Sequence, residues 1–400
     1  MSIISKSLDK IKTSPTLQMT QRARELRAAG KDIIGLSAGE PDFDTPENIK
    51  QAAIKAINTG QTKYTTVDGI PSLKEAIQTK FKRENGLNYT LEQITVGTGA
   101  KQVLYNALVS TLNNLDEVII PAPYWVSYPD MTLLAGGIPR IVSTNQNNNF
   151  KITPKELERA INKKTKWIIL NSPSNPTGMC YSNDELLKLS EVLLNYPNVW
   201  VMTDDIYEHI IYDKKQFSTI ASVENKLFNR TLTINGVSKA YAMTGWRIGY
   251  AGGPKDLIKA IAKVQSQSTS NPTSISQYAA IEALTGSQDF IKNTVNEFRV
   301  RRDFVVKKIN QISGLSCEIP NGAFYIYVNC KDCIKKKTRG GKLINSDSDF
   351  VSSLLEEANV AAVQGLAFGM EPYFRISYAT SQNLLEKAMD RIEEFCNNLS

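Results

Sequence analysis

Lys239 stands in the stretch 231–252, TLTINGVSKAYAMTGWRIGYAG, among small neighbours that give its amine no bulk to hide behind. Arg247 follows it at i+8. A lysine amine of this kind can bond covalently to a carbonyl compound, while a nearby guanidinium holds an anionic handle. Taken alone, a lysine is more often a solvated surface charge. Five other words carry matching residue types. VGTGAK (96–101) follows a strand and opens a helix, so the amides of Gly99, Ala100 and Lys101 suit a phosphate. VMTDDIYEHIIY (201–212) sets Asp204 and Asp205 at a strand end, and YFRISYA (373–379) alternates Arg375 with apolar residues. PAPYWVSYP (121–129) places Trp125 just past a strand, and NSPSNPTG (171–178) puts Asn175 in a proline-rich turn. Each word also has a plain reading: a strand-to-helix turn, an exposed sheet face, a core aromatic, a loop. A dinucleotide fingerprint would need a third glycine at 102, where Gln102 stands.

The elements that must position these residues follow from the hydrophobic period. After two helix-like pieces around Ser14–Pro15–Thr16 and a short strand at 32–36, helices are expected over 46–59 and 70–85. From about 93, apolar strands alternate with amphipathic helices: ITVGTGA, EVIIPAP, KWIILNSP, VWVMTDD, RTLTING and RIGYAG. Such alternation predicts an α/β fold with a mostly parallel sheet covered on both faces. Ligands then gather at the carboxyl ends of the strands, where Gly99, Trp125, Asn175, Asp204 and Lys239 all fall. A long charged helix over 288–309 leads to a smaller α+β portion with strands in AFYIYVN and YFRISYA. The expected division is a large unit over 45–285 and a small one combining 1–44 with 286–400. Residues 330–347 read as a surface loop.

The word S-K-x-x-x-M-T-G-W-R-I-G-Y (238–250) resembles the lysine region of class I aminotransferases of the aspartate aminotransferase family, which use pyridoxal phosphate. The likeness runs from about residue 10 to 395, with the other words in the family's order. It implies the fold type I architecture, a large sheet of the seven-stranded type beside a small α+β domain. It also implies a role for each residue. Lys239 bonds the cofactor; Gly99, Ala100, Lys101, Ser238 and Arg247 hold its phosphate; and Trp125 stacks on its ring. Asp204, chosen over Asp205 by this likeness, faces the ring nitrogen. Asn175 and Tyr207 bond the phenolic oxygen. Arg375 takes the substrate α-carboxylate, with Gly39 of SAGEPDF, Trp125 and Asn175 beside it. Tyr64 reaches the phosphate of a neighbouring subunit, which implies a homodimer with shared sites. The family often carries a serine where Gly236 stands, so one phosphate donor departs from the pattern. IKTSPT and GAK resemble the bacterial subgroup that includes enzymes acting on both aspartate and prephenate, where a lysine matching Lys12 goes with prephenate. Other readings on the same fold are an alanine or aromatic transaminase, a C–S lyase, and a ligand-sensing regulator without catalysis.

Composition narrows the field further. With 42% hydrophobic and 22% charged residues, 400 residues can bury a large core. The net charge of +7 is spread along the chain, which suits small acidic substrates better than nucleic acid. Only KDCIKKKTRGGK (331–342) concentrates basic residues, and it reads as a solvated loop. A single histidine, His209, argues against serine-histidine triads and poly-histidine metal sites. Five scattered cysteines suggest reduced thiols, and Cys330–Cys333 lacks the second pair a zinc site needs. The N-terminus lacks an apolar leader and no long apolar run occurs, so a cytoplasmic enzyme without membrane or nucleic-acid partners is expected.

Overall fold

The computed structural model of the chain describes residues 3–11 and 13–400. Strand β1 (Ile34–Gly35) is short; the largest sheet comes later. It contains β2 (Ile94–Gly97), β3 (Glu117–Ala122), β4 (Ile138–Ser143), β5 (Thr165–Asn171), β6 (Trp200–Asp204), β7 (Thr231–Gly236) and β8 (Gly249–Gly252). Their order is β2-β8-β7-β6-β5-β3-β4. Strands β3 to β7 run parallel, and β8 lies antiparallel to both neighbours. The RIGYAG run is therefore a strand, as expected, but of opposite direction. Strand β4 had no clear sequence signal, because Pro139 and Arg140 interrupt its apolar run at a half-exposed edge.

Strands β5 to β7 are buried almost throughout because both faces are covered. Trp167 and Ile169 of β5 pack on one side with Val103, Leu104 and Leu108. Ile168 and Leu170 pack on the other with Leu186, Leu189 and Leu193. Helix α1 spans Pro15–Ala28, α2 Glu47–Asn58, α3 Pro71–Asn85 and α4 Ala100–Thr111. Helix α3 opens on Pro71 and ends on Gly86 in the left-handed region at φ 67°, the usual asymmetry of a helix with firm ends.

Beyond helix Asp289–Ile309, β9 (Ser316–Cys317), β10 (Tyr325–Asn329), β11 (Val360–Ala361), β12 (Val363–Gln364) and β13 (Tyr373–Ser377) follow. An antiparallel sheet runs β12-β13-β10-β9, while β11 pairs in parallel with β1 and so ties the N-terminal segment to this part. Residues 330–347 are only partly a surface loop. Lys335 and the stretch 339–343 are exposed, but Cys330, Cys333 and Ile344 are fully buried in the core of this portion. Apolar anchors at both ends of a basic stretch explain the difference. The two thiols bond separate backbone carbonyls, of Pro372 and Gly314, each at 3.5 Å.

Candidate active site

A cavity of about 210 Å³ opens at the carboxyl ends of the parallel strands. Gly39, Ala100, Lys101, Trp125, Asn175, Asp204, Tyr207, Ser238, Lys239, Arg247 and Arg375 all line it, from segments spread over more than 330 residues of chain. Gly99 sits directly behind, as the residue before α4. Tyr64 does not line this cavity and is 92% exposed. Lys12 lies outside the described residues.

The lysine amine is held on a backbone acceptor: Lys239 Nζ donates to Gly39 O at 2.5 Å and lies 5.9 Å from the Tyr207 ring centre. Burial pushes this amine down to about 8, aided by Arg247 and Arg375 and opposed by Glu40 and Asp204. Such an amine is available as a nucleophile or base near neutral pH.

The strand period separates the two aspartates. Asp204 ends β6 facing the cavity, where its Oδ2 accepts from Tyr128 Oη at 2.7 Å. Burial pushes its carboxyl up to about 6, with the Tyr128 hydrogen bond opposing. Asp205 is not in the cavity wall; it accepts from Thr203 Oγ1 at 2.5 Å, and burial pushes it up to about 8. Behind the same turn, Glu208 forms a buried ion pair with Lys80 of α3, and Asn85 Nδ2 donates to it at 2.8 Å. His209 bonds Glu84 at 2.9 Å in this network, outside the cavity wall.

Arg375 is 2% exposed. Its Nη1 donates to Asn175 Oδ1 at 2.8 Å and its Nη2 to Ser37 O at 2.7 Å, while Nε has no partner among the described residues. The guanidinium lies 4.4 Å from the Tyr325 ring centre and 5.1 Å from that of Phe368. Aromatic faces hold a cation without using its donors, so a fork remains for a carboxylate.

Gly99 has φ 81° and leads straight into α4. A Cβ there would meet Arg247 Nη2 at 2.1 Å, and one on Gly249 would meet Ala100 N at 2.0 Å. Both glycines thus permit the close approach that seats Arg247 and β8 against the helix N-terminus. Lys101 Nζ lies 4.8 Å from the Trp125 ring centre, and burial and Arg247 both lower its pKa. Two cations, one helix terminus and the cavity-lining Ser238 form an anion cradle. The serine absent at 236 has a steric reason. A Cβ on Gly236 would lie 3.0 Å from Ile248 O and 3.1 Å from Gly249 Cα.

The donor set fits pyridoxal phosphate: the cradle suits the phosphate, the Trp125 face the ring, Asp204 the ring nitrogen, and Asn175 with Tyr207 the phenolic oxygen. Ser172–Pro173, in the turn before Asn175, is a cis peptide. Tyr128, Asn171, Thr16, Thr244 and Tyr325 also line the cavity and had not been singled out. A signal existed for Tyr325: Tyr327 pairs with Arg375 across β10 and β13, so Tyr325 shares its face.

A family model described as aminotransferase class I and II matches residues 31–392. The aspartate/prephenate aminotransferase of Cereibacter sphaeroides is 59% identical over 400 residues, covering 100% of both chains. The aspartate aminotransferase of Rhizobium meliloti is 54% identical over 393 residues, 98% of this chain and 96% of that one. The crystal structure of a Rhizobium meliloti aspartate aminotransferase matches with a TM-score of 0.97 at 53% identity, covering 100% of both chains. The Thermus thermophilus aspartate aminotransferase with maleate matches at 0.93 and 41% identity, over 99% of this chain and 100% of that one. The cavity is thus framed by a full-length match in sequence and in fold, and the chain belongs to the class I and II aminotransferases.

Proposed function

We propose that the chain is a pyridoxal-phosphate-dependent aminotransferase that converts aspartate and 2-oxoglutarate to oxaloacetate and glutamate. It also aminates prephenate to arogenate, with aspartate or glutamate as donor. One observation carries the reading: a buried amine, Lys239 Nζ, shares one cavity with Asp204, the Gly99–Lys101 cradle and the guanidinium of Arg375.

When bound, pyridoxal phosphate supplies an electron sink that makes the substrate α-proton acidic. The chain's own groups do the rest. The amides opening α4, Lys101, Ser238 and Arg247 bind the phosphate, and Trp125 covers the ring. Asp204 holds a proton at the ring nitrogen, and Tyr128 keeps its carboxylate oriented. Asn175 and Tyr207 bond the phenolic oxygen. Arg375 grips the α-carboxylate, and Gly39 lets the backbone pass close to the substrate. Lys239 would hold the cofactor through its amine, and the same amine, when free, would serve as the base and acid for the substrate α-proton.

Tyr64 completes the phosphate site of a second copy in a homodimer, a role in keeping with its exposure and its absence from its own chain's cavity. Lys12 favours prephenate. Residues 45–285 form the cofactor-bearing unit, and 1–44 with 286–400 the smaller one. The five cysteines are unpaired, which fits a reducing cytoplasm. Among the described residues no helix is long and apolar enough to cross a membrane.

The test is a visible spectrum of the purified protein, followed by addition of aspartate. Bound cofactor should absorb in the visible, and aspartate should bleach that absorbance as the cofactor takes up the amino group. Lys239→Ala should abolish both the visible band and turnover; persistence of both refutes the assignment. Comparing prephenate rates in wild type and Lys12→Ala checks the second substrate, and an unchanged rate removes the role of Lys12.

A further inference from the structure

The segment after β1 is stitched to the lysine loop at four points. Lys239 Nζ donates to Gly39 O, and Thr244 Oγ1 donates to Glu40 Oε1 at 2.6 Å. Thr45 Oγ1 donates to Ala242 O at 2.7 Å, and Trp246 Nε1 to Thr45 Oγ1 at 3.0 Å. The two bonds of Thr45 involve only neutral groups. The Glu40 contact differs, because it fixes a carboxylate one residue from the carbonyl that holds the reactive amine. Thr244 is itself part of the cavity wall, and its carbonyl accepts from Arg247 Nη1 at 2.8 Å.

We propose that Glu40 is a positioning residue for Lys239: clamped by Thr244, its carboxylate stabilises the ammonium form of the lysine whenever that amine is not bonded to cofactor. The proposal rests on Lys239 being the reactive amine. A lysine that carries a proton during turnover needs such a partner, since the remaining charges around it are mostly unfavourable. Arg247 from its own loop and Arg375 from β13 repel an ammonium, and Lys101 at the opening of α4 adds a third cation to the cavity wall. Asp204 at the end of β6 attracts it, but that carboxylate is committed to Tyr128. Tyr207 offers a ring face 5.9 Å from Nζ. Glu40, the neighbour in sequence of the residue whose carbonyl accepts from the amine, is the other attractive charge, and the Thr244 bond fixes its carboxylate.

The experiment is competitive acetylation of the full-length protein stripped of cofactor, across a pH series, with the Lys239 peptide quantified by mass spectrometry. One screened charge near the amine corresponds to roughly half a pH unit. Glu40→Gln should therefore move the Lys239 labelling midpoint down by roughly that amount. Glu40→Asp, which keeps the charge, should restore most of it, and Thr244→Val should give a smaller downward shift. An unchanged midpoint in Glu40→Gln overturns the proposal. So does an equal shift in the Gln and Asp variants, which would mean that loop geometry matters and charge does not. Because labelling needs neither cofactor nor substrate, failure here is separable from failure of the transaminase reading, which the spectrum decides.

Discussion

Replacing Arg375 with lysine keeps the charge and removes the fork, so it isolates what the guanidinium geometry contributes. In the structure two of its donors are already spent, on Asn175 Oδ1 at 2.8 Å and Ser37 O at 2.7 Å. What is left for substrate is Nε, which has no partner among the described residues, and the second hydrogens of the two terminal nitrogens. A lysine ammonium has three donors from a single point and cannot serve two protein acceptors and both oxygens of a carboxylate at once. One charge-assisted hydrogen bond, worth about 1.5–3 kcal/mol, is therefore lost. A buried acceptor, Ser37 O or Asn175 Oδ1, is also left unpaired at about 1–3 kcal/mol. The acceptor penalty falls largely on the free protein, so the substrate-dependent loss is set by the first figure. About 1.5–3 kcal/mol corresponds to roughly a ten- to hundredfold fall in kcat/KM for aspartate. The assay is single-turnover bleaching of the cofactor absorbance by aspartate, beside an equilibrium titration with pyridoxal phosphate. Cofactor affinity should fall much less than kcat/KM, because Arg375 bonds Asn175 and Ser37 and none of the α4 cradle residues. A kcat/KM reduced by less than about threefold, in a folded variant, would refute the carboxylate-binding role of this arginine.

Tyr128→Phe removes the phenol that donates to Asp204 Oδ2, so the carboxyl should rise further above about 6 and cofactor affinity should weaken by roughly tenfold. An unaltered titration would count against the pairing of Asp204 with the ring nitrogen. Asp205, which burial pushes up to about 8, has a sign that can be worked out. The folded state keeps a proton that the unfolded chain releases near pH 4, so this residue increasingly opposes folding as pH rises from about 4 to 8. Asp205→Asn should accordingly raise the unfolding midpoint at pH 8.5 by more than at pH 5; equal changes at both would contradict it. Lys80→Met strands the Glu208 carboxylate in the core, and urea unfolding should show a loss of about 3–5 kcal/mol. Lys80→Met with Glu208→Leu should recover most of that loss; a double variant no better than the single one would mean that the ion pair is not the cause.

Period and punctuation made much of the fold legible. The apolar strand runs expected in EVIIPAP, KWIILNSP, VWVMTDD and RTLTING are strands of the large sheet, and the helices expected over 46–59 and 70–85 are α2 and α3. What failed was local. Strand β4 lies at the sheet edge with Pro139 and Arg140 inside it, and an edge strand does not need the apolar run that a central strand does. The direction of β8 could not be read, since its apolar pattern is the same either way. The ends of the 330–347 segment are buried by contacts with residues far along the chain, among them Pro372 and Gly314, which no local pattern reveals. For the site, words such as SK…MTGWRIGY named residues that the fold does gather in one cavity. Tyr128 and the Lys80–Glu208 pair escaped notice because each matters through a partner distant in sequence, Asp204 for one and the back of its turn for the other.

The alternation of side chains along β6 has a chemical consequence. Two adjacent carboxylates at the mouth of a cavity would largely cancel its cations and would raise each other's pKa. By sending Asp204 inward and Asp205 behind the turn, the strand leaves one carboxylate in the cavity wall, among the described residues, against Lys101, Lys239, Arg247 and Arg375. That surplus of positive charge is what a phosphate-bearing cofactor and a dicarboxylic substrate both require. Burial first, and then Arg247 and Arg375 from that surplus, hold the Lys239 amine near 8 instead of its ordinary value of 10.5. Binding of anions and activation of the base therefore come from one charge arrangement. The two effects should separate when anions fill the cavity. Phosphate bound at the α4 cradle would offset Arg247 and Lys101, and should shift the Lys239 labelling midpoint upward in the cofactor-free protein. A midpoint indifferent to saturating phosphate would mean that burial alone sets the amine, and that the cations act only on ligands.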